Sequence, residues 1–233
     1  MNHRNHRHRN TLAAGVIVAV IAVPLALVIA PPDAVQGQAQ RLMYLHVPSA
    51  WSAYLCFTLV LLASLWHLIR RTGASRRVAR AAAEIGVGLT ALTLATGSLW
   101  GALTWGTWWA WDARVISTVA MGLVYVVYLS VEGLTPGEQG SRVPAAIGVA
   151  GFLTVPVVHF SVLWFRTLHQ PPTILAPSVD PPIDPLMLLA LATTTLAFTL
   201  LTVWAVDTRA TALAPEPDRA PEREPAVRAE ALR

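Results

Sequence analysis

The chain has 233 residues, of which 55% are hydrophobic and only 13% are charged. Because soluble domains carry about 25% charged residues, this composition excludes a soluble globular protein and indicates an integral membrane protein. The net charge of +4 comes from arginine, since the chain contains no lysine. The arginines do not form a stripe beside aromatic side chains, so nucleic acid is not an expected partner.

Six apolar runs are long enough to cross a bilayer, which takes about 20 residues per helix. Each is bounded by proline, glycine or charged residues, as helix ends are. The runs cover residues 11–30, 47–69, 81–101, 115–131, 143–163 and 186–206. The predicted fold is therefore all-α, an integral membrane bundle of six transmembrane helices over residues 11–206. A basic tail (1–10) precedes it, and a tail (207–233) rich in Ala, Pro, Glu and Arg is predicted to be disordered.

The first run follows a basic start, a pattern that also fits a signal peptide. Its length and the presence of Pro24 favour a retained first helix. His3, His6 and His8 precede this run, and such a tract can bind metal, although a solvated basic tail is the favoured interpretation.

The arginines indicate the orientation of the helices. With the N-terminus in the cytoplasm, 14 of the 17 arginines lie on the cytoplasmic side, and only Arg41, Arg114 and Arg166 lie outside. This distribution follows the positive-inside rule. An even number of helices then places both termini in the cytoplasm. The predicted outer loops are residues 31–46, 100–114 and 164–185.

The predicted spans contain few ionisable residues. Glu84 and Glu132 lie near cytoplasmic ends of their helices, so the sequence argues against an ion-coupled transporter, which places ionisable groups deep in the bundle. Gly97 and Gly101 form a small-xxx-small pair that favours close helix packing.

Cys56, the single cysteine, excludes an internal disulfide and is expected to be a buried apolar residue. A Walker A motif requires lysine, so any ATP hydrolysis would belong to another subunit.

Five of the nine tryptophans lie within twelve residues, between two apolar runs. They are Trp100, Trp105, Trp108, Trp109 and Trp111. An aromatic belt spreads over the ends of all helices, whereas this group is confined to residues 100–114, here named the tryptophan loop. We therefore favour a platform for a large flat molecule such as haem. The i, i+3, i+4 spacing of Trp105, Trp108 and Trp109 predicts a short interfacial helix that presents them on one face.

Haem also needs axial ligands, and neutral imidazole suits iron. His46 and His169 lie in the first and third outer loops, on the same side as the tryptophan loop. We interpret them as candidate axial ligands. His67 lies near the cytoplasmic end of its helix and is interpreted as structural. His159 lies about one turn inside the fifth helix and is interpreted as a support of the site rather than a ligand.

The propionates of haem need cations or hydrogen-bond donors. Arg114 is the leading candidate, and it follows Asp112, which can cap the N-terminus of the fourth helix. Arg41 lies five residues before His46, and Arg166 lies three residues before His169. For these two arginines, propionate binding and a solvated loop charge are equally weighted alternatives.

Together these residues resemble a known family. The segment from Trp105 to Arg114 (WGTWWAWDAR) resembles the tryptophan-rich WWD motif of haem-handling proteins. The segments MYLHVPSAW (43–51), TGSLWG (96–101) and TLHQ (167–170) are similar to the CcmC family, the haem exporter proteins C of cytochrome c maturation. The related CcmF and CcsA families are longer or lack the Trp-Asp-Ala-Arg ending, so the short chain and its motifs favour CcmC.

The resemblance implies a six-helix, bacterial inner-membrane protein of cytochrome c biogenesis. His46 and His169 would be the axial ligands of haem b, and residues 105–112 would hold the haem at the outer face. The haem would pass to the periplasmic haem chaperone CcmE. The ATP-binding-cassette subunits CcmA and CcmB, the small membrane protein CcmD and the lipid bilayer would be further partners. Two positions depart from the family pattern: Pro171-Pro172 replaces a small flexible pair, and Phe165 replaces an aromatic residue that is often tryptophan.

Two other functions stay open from the sequence. A small electron-transfer cytochrome b would need paired histidines within helices, but His67 and His159 lie near opposite membrane faces. A haem export permease would need a polar or aromatic path across the bundle, but the tryptophans lie at one surface. The sequence contains no recognisable catalytic triad or carboxylate pair. We therefore expect a haem-binding and transfer protein rather than an enzyme, with any catalysis limited to positioning haem against its chaperone.

Overall fold

The computed structural model describes residues 2–135, 142–169 and 183–215, with side chains from residue 6 onward. Across these ranges the helices are α1 (Asn2–Pro24), α2 (Met43–Arg70), α3 (Gly73–Trp105), α4 (Ala113–Gly133), α5 (Arg142–Gly151), α6 (Thr154–Trp164) and α7 (Pro185–Ala212). A π-helical turn (Leu25–Ile29) extends α1, and a 3-10 helix (Gln38–Leu42) precedes α2.

Six helical segments are long and apolar enough to cross a membrane. They are His6–Ile29, Gln38–Arg70, Gly73–Trp105, Ala113–Gly133, Arg142–Trp164 and Pro185–Ala212. The predicted all-α bundle of six transmembrane helices is therefore confirmed.

Two of the spans are interrupted close to a proline. Pro24 has no backbone N–H to donate, and the α-helical hydrogen bonding of the first span ends there and gives way to the π-helical turn. The fifth span, predicted as one continuous helix, is divided into α5 and α6. Pro156 explains the break, because its ring conflicts with the carbonyl of Phe152 four residues earlier. Phe152 and Leu153 form turn hydrogen bonds between the two helices instead.

The first and last helices extend into the predicted tails. α1 begins at Asn2, and α7 continues through Ala212 rather than ending near residue 206. Polar contacts accompany the extension of α7: Asp207 lies 3.1 Å from His8 Nε2, and Arg209 forms an ion pair with Glu84 on α3. The predicted disorder of the remaining tail falls mostly on residues 216–233, which lie outside the described residues.

The core lies where α2, α3 and α4 meet. Phe57 on α2 stacks on Tyr125 on α4, with ring centres 3.7 Å apart. Gly86 on α3 permits this approach, since a Cβ at that position would lie 2.7 Å from the Phe57 ring. Cys56 is fully buried beside them, as expected for a structural residue. α1 packs mainly against α7 at the edge of the bundle.

The connections between the first and second, third and fourth, and fifth and sixth spans meet at one end of the bundle. Gln36 in the first connection bonds Trp100, and Leu168 in the third bonds Asp112. We call this end, with residues 31–46, 100–114 and 164–169, the tryptophan side. The opposite end contains the Arg76–Glu132 ion pair, whose glutamate is 3% exposed.

Candidate functional site

A cleft of about 780 Å³ opens on the tryptophan side, between α2, α3, α4 and the tryptophan loop. The fold brings seven of the predicted site residues to its wall: His46, Trp105, Trp108, Trp109, Asp112, Arg114 and His169. Deeper in the membrane, apolar and hydroxyl side chains line it, including Ala53, Leu94, Thr118, Met121 and Val158.

His46 lies in the first turn of α2, and its imidazole is fixed by α3. Its Nδ1 lies 3.0 Å from the carbonyl oxygen of Thr93 and 3.2 Å from the hydroxyl of Thr96. A carbonyl oxygen only accepts hydrogen bonds, so Nδ1 carries the proton and Nε2 has a free lone pair. A second hydrogen bond that sets the tautomer and orientation is usual for metal-binding histidines.

His169 follows α6 in the third connection. Its Nδ1 lies 3.8 Å from Asp112 Oδ2, which is within ion-pair range but too long for a hydrogen bond. Burial lowers the pKa of the His169 imidazole below 6.5; the Asp112 carboxylate opposes this shift and Arg114 adds to it. The imidazole is therefore neutral at physiological pH, which is the form that binds iron.

The two imidazoles lie close together in the wall of the cleft, with ring centres 6.4 Å apart and ring planes at 38°. A metal-bound imidazole nitrogen lies about 2 Å from the metal, and the ring centre about 1 Å further away, so two axial imidazoles have centres about 6 Å apart. The spacing of His46 and His169 fits one iron between them.

The tryptophan loop does not contain the predicted short helix. Trp105 is the last residue of α3, and Gly106 ends the helix with a positive φ of 73°. Residues 107–112 are irregular. The loop folds back on α3 and lies close to Gly101. A Cβ at Gly101 would lie only 3.0 Å from the carbonyl oxygen of Thr107. The helix prediction was wrong because a glycine in the left-handed region terminates helices, yet Trp105, Trp108 and Trp109 all line the cleft.

The five tryptophans occupy different positions around the cleft. Trp105 contacts the His169 ring edge-on at 5.3 Å, and Trp100 contacts the His46 ring at 5.8 Å. Trp108 is 71% exposed at the mouth. Trp109 lines the cleft, while Trp111, 78% exposed, packs edge-on against Trp109 at 5.4 Å. The group therefore provides two ring contacts to the histidines and an exposed indole surface at the entrance.

Asp112 connects three parts of the site. Its Oδ1 accepts a hydrogen bond from Val115 N at 2.9 Å, which caps α4 as predicted. Its Oδ2 accepts from Leu168 N at 3.1 Å and lies beside His169. One carboxylate thus joins the tryptophan loop, the start of α4 and the segment that carries His169.

Arg114 lines the cleft and donates from Nη2 to the carbonyl oxygen of His159 at 3.3 Å. Its Nε is buried, with no hydrogen-bond partner among the described residues. The His159 imidazole contacts Tyr54, a cleft residue, at 6.3 Å. His159 is not among the described residues that line the cleft, but its carbonyl oxygen bonds Arg114. Its supporting role stays a prediction.

Arg41 and Arg166 lie elsewhere. Arg41 donates to the carbonyl oxygens of Ala26 and Ala30 at the end of the first span. Arg166 is exposed, and neither arginine is among the described residues that line the cleft. Phe165 is also exposed, and Pro171-Pro172 lies outside the described residues.

Several site residues were not singled out from the sequence. Thr93 and Thr96 hold His46, and Tyr54 lines the cleft. Gly97 provides the space for His46, since a Cβ there would lie 2.8 Å from its Cε1. The one available signal was the Gly97/Gly101 pair, which accommodates the His46 imidazole of the neighbouring helix α2 at Gly97 and the tryptophan loop at Gly101.

Comparison with known proteins identifies the family of this chain. The family model of haem exporter protein C (CcmC) matches residues 3–220. A haem exporter protein C from Bradyrhizobium diazoefficiens is 35% identical over 193 residues, which cover 82% of this chain and 73% of that protein. The chain belongs to the haem exporter protein C family. The haem exporter protein C of Escherichia coli K12 is also 35% identical, over 170 residues that cover 72% of this chain and 69% of the relative.

A plant protein extends the comparison to mitochondria. A ccmC-like mitochondrial protein of cytochrome c biosynthesis from Marchantia polymorpha is 34% identical over 157 residues, which cover 67% of each chain. The family resemblance predicted from the sequence motifs is confirmed. This chain is a multi-pass membrane protein of a family that handles haem in cytochrome c maturation.

Proposed function

We propose that this protein binds haem b at the outer face of the bacterial inner membrane and transfers it to a periplasmic haem chaperone. His46 and His169 are the axial ligands, Trp105, Trp108 and Trp109 contact the macrocycle, and Arg114 binds a propionate. The observation that carries the proposal is the pair of neighbouring imidazoles that line the cleft, with ring centres 6.4 Å apart.

The environment of both histidines supports iron ligation. His46 has its Nδ1 hydrogen-bonded, which leaves Nε2 for a metal, and the Nδ1 of His169 lies beside the Asp112 carboxylate. The walls between them are aromatic and apolar, which suits the faces of a porphyrin.

The open mouth of the cleft supports transfer rather than permanent storage. Trp108 and Trp111 are largely exposed there, so a chaperone can reach the haem edge without unfolding the site. CcmE is the proposed acceptor, and CcmA, CcmB and CcmD are the proposed membrane partners. The protein acts by positioning haem against the chaperone, not by covalent catalysis of its own.

The two alternative functions have less support. A transmembrane cytochrome b would use a histidine pair within the helices, but His67 follows His46 by 21 residues on α2, a rise of about 30 Å. His67 instead contacts Thr72 and Ser75 near the far end of the bundle. A permease would need a passage across the membrane, but the described cleft opens on the tryptophan side, and Thr90, Met121 and Val158 are the residues that line its inner end.

The proposal is tested with His46→Gly and His169→Gly, each purified in detergent with haem. The wild-type protein should give a low-spin, bis-imidazole absorption spectrum, and each variant should lose it. Because each substitution leaves space for one imidazole, millimolar imidazole in the buffer should restore the low-spin spectrum. His67→Gln, which alters a histidine at the opposite end of α2, should resemble the wild type. A haem-free wild type, or spectra indifferent to both substitutions, would refute the proposal.

Transfer is measured separately by mixing the haem-loaded protein with purified haem chaperone and following the chaperone-bound haem. The wild type should deliver its haem, and the two glycine variants should not. Delivery at the wild-type rate by both variants would show that axial ligation is not needed for transfer.

A further inference from the structure

The first connection on the tryptophan side reaches the third span through one side chain. The Oε1 of Gln36 accepts a hydrogen bond from the indole Nε1 of Trp100 at 2.9 Å. The Trp100 ring, in turn, lies edge-on against the His46 imidazole, with centres 5.8 Å apart and planes at 71°. Gln36, which is 64 positions from Trp100 in sequence, is thus connected through the Trp100 indole to His46, a proposed iron ligand.

Gln36 is held firmly enough to fix the indole. Asp33 Oδ1 accepts hydrogen bonds from the backbone N–H groups of Val35 and Gln36, at 2.8 and 2.7 Å. Asp33 and Gly37 exchange a pair of backbone hydrogen bonds at 3.2 and 3.0 Å, and the positive φ of Gly37 (56°) closes the turn. The amide of Gln36 therefore projects from a closed, hydrogen-bonded turn rather than from a free loop.

The His46 ring depends on Trp100 for part of its orientation. Its Nδ1 is held by Thr93 and Thr96, and the ring packs directly against Gly97, where a Cβ would lie 2.8 Å from its Cε1. Trp100 lies one helical turn after Thr96, on the same face of α3, and limits rotation of the imidazole. Without the indole, the ring would lose its contact on this side, and its orientation would depend on the Nδ1 hydrogen bonds and on Gly97 alone.

We propose that Gln36 is a positioning residue for the axial ligand His46: by holding the Trp100 indole, it keeps the imidazole aligned toward the cleft. This inference rests on the proposed ligation of haem iron by His46. Gln36 does not touch the iron ligand itself, and it acts as a hydrogen-bond acceptor. A side chain that keeps an acceptor oxygen at this position should therefore preserve the function.

The experiment compares Gln36→Leu with Gln36→Glu in the full-length protein, with haem as the probe. Leucine keeps much of the volume but has no acceptor, whereas glutamate keeps the oxygen. Gln38→Leu is the matched control, because Gln38 lies in the same connection and bonds Arg41 instead of Trp100. The readouts are haem affinity and the fraction of low-spin haem in the absorption spectrum, with protein folding checked by circular dichroism.

Gln36→Leu should bind haem about five-fold more weakly, the factor that corresponds to one ordinary hydrogen bond of about 1 kcal/mol. It should also contain a high-spin fraction that millimolar imidazole removes. Gln36→Glu should stay within about two-fold of the wild type, and so should Gln38→Leu. In a Trp100→Phe background, which lacks the indole donor, Gln36→Leu should have little further effect, because both changes remove the same contact.

Three results would overturn the inference while leaving the proposed function intact: a Gln36→Leu variant that matches the wild type, a Gln36→Glu variant as impaired as Gln36→Leu, or an equal loss in Gln38→Leu. A wild-type protein without bis-imidazole haem would overturn the proposed function, and this inference with it.

Discussion

Arg114 and Trp109 line the cleft, and Arg114 Nε and Trp109 Nε1 are buried without a hydrogen-bond partner among the described residues. A buried donor without a partner costs about 1–3 kcal/mol, so a ligand that supplies an acceptor recovers this free energy. The carboxylates of haem are acceptors of this kind, and a guanidinium binds a carboxylate strongly. We therefore propose Arg114, a cleft residue, as the side chain that binds a haem propionate.

Haem dimethyl ester, which lacks the negative propionates, tests the role of Arg114. The wild type should bind haem about ten-fold more tightly than the ester, because a hydrogen bond to a charged group contributes about 1.5–3 kcal/mol. In Arg114→Gln this preference should largely disappear, through weaker binding of haem and not of the ester. Binding is measured by titrating each porphyrin into the apoprotein and following the Soret band.

Arg166→Gln provides the control for Arg114, because Arg166 is an exposed arginine of the same side that does not line the cleft. It should keep the full preference for haem over the ester. An unchanged preference in Arg114→Gln would exclude Arg114 as the propionate-binding residue, and a loss in both variants would indicate a general electrostatic effect of the tryptophan side.

At the level of helices, α3 supplies most of the framework of the site. Thr93 and Thr96 bond His46, Gly97 gives it space, and Trp100 contacts its ring. The helix then ends at Trp105, where the loop begins. One face of a single helix thus sets the position of a proposed ligand that belongs to α2.

Gly97→Ala tests this dependence on α3. The new Cβ would lie 2.8 Å from the Cε1 and 3.2 Å from the Nδ1 of His46, so the imidazole must move. We expect loss of the low-spin haem spectrum while the helical content, measured by circular dichroism, stays unchanged. Alanine is intrinsically better than glycine in a helix by about 1 kcal/mol, so the loss cannot come from weaker α3 formation.

Gly88→Ala is the matched control on the same helix, because a Cβ at Gly88 would meet nothing within 4 Å. It should leave the haem spectrum unchanged. Equal loss of haem in both alanine variants would contradict the proposed role of Gly97, and so would a normal spectrum in Gly97→Ala.

The sequence predicted the helices better than it predicted the loops between them. Long apolar runs report membrane spans directly, and an alternating path through the membrane puts His46, His169 and the tryptophans on one side. The path of residues 106–112 was not predictable from tryptophan spacing, because it depends on the left-handed conformation of Gly106 and on the loop folding against Gly101. The role of Gly97 in making space for His46 was also not predictable, because His46 belongs to another helix, α2, and the sequence does not show which residues of the two helices meet.

At the scale of the whole molecule, the two ends of the bundle differ in chemistry. The tryptophan side carries the cleft and the exposed indoles. The opposite end carries the ion pairs of Arg76 with Glu132 and of Arg209 with Glu84. This asymmetry agrees with the distribution of arginines along the chain. It leads to the expectation that the cleft faces the periplasm and the ion-paired end faces the cytoplasm.

Cysteine labelling of spheroplasts tests this orientation. The native Cys56 is fully buried, so it should not react, and a single introduced cysteine reports its own position. Val35, 94% exposed, lies on the tryptophan side, and Leu134, 83% exposed, lies at the opposite end. A membrane-impermeant maleimide should label Val35→Cys in spheroplasts and Leu134→Cys only after the membrane is opened. The reverse pattern would place the cleft in the cytoplasm, where a periplasmic chaperone could not receive haem from it.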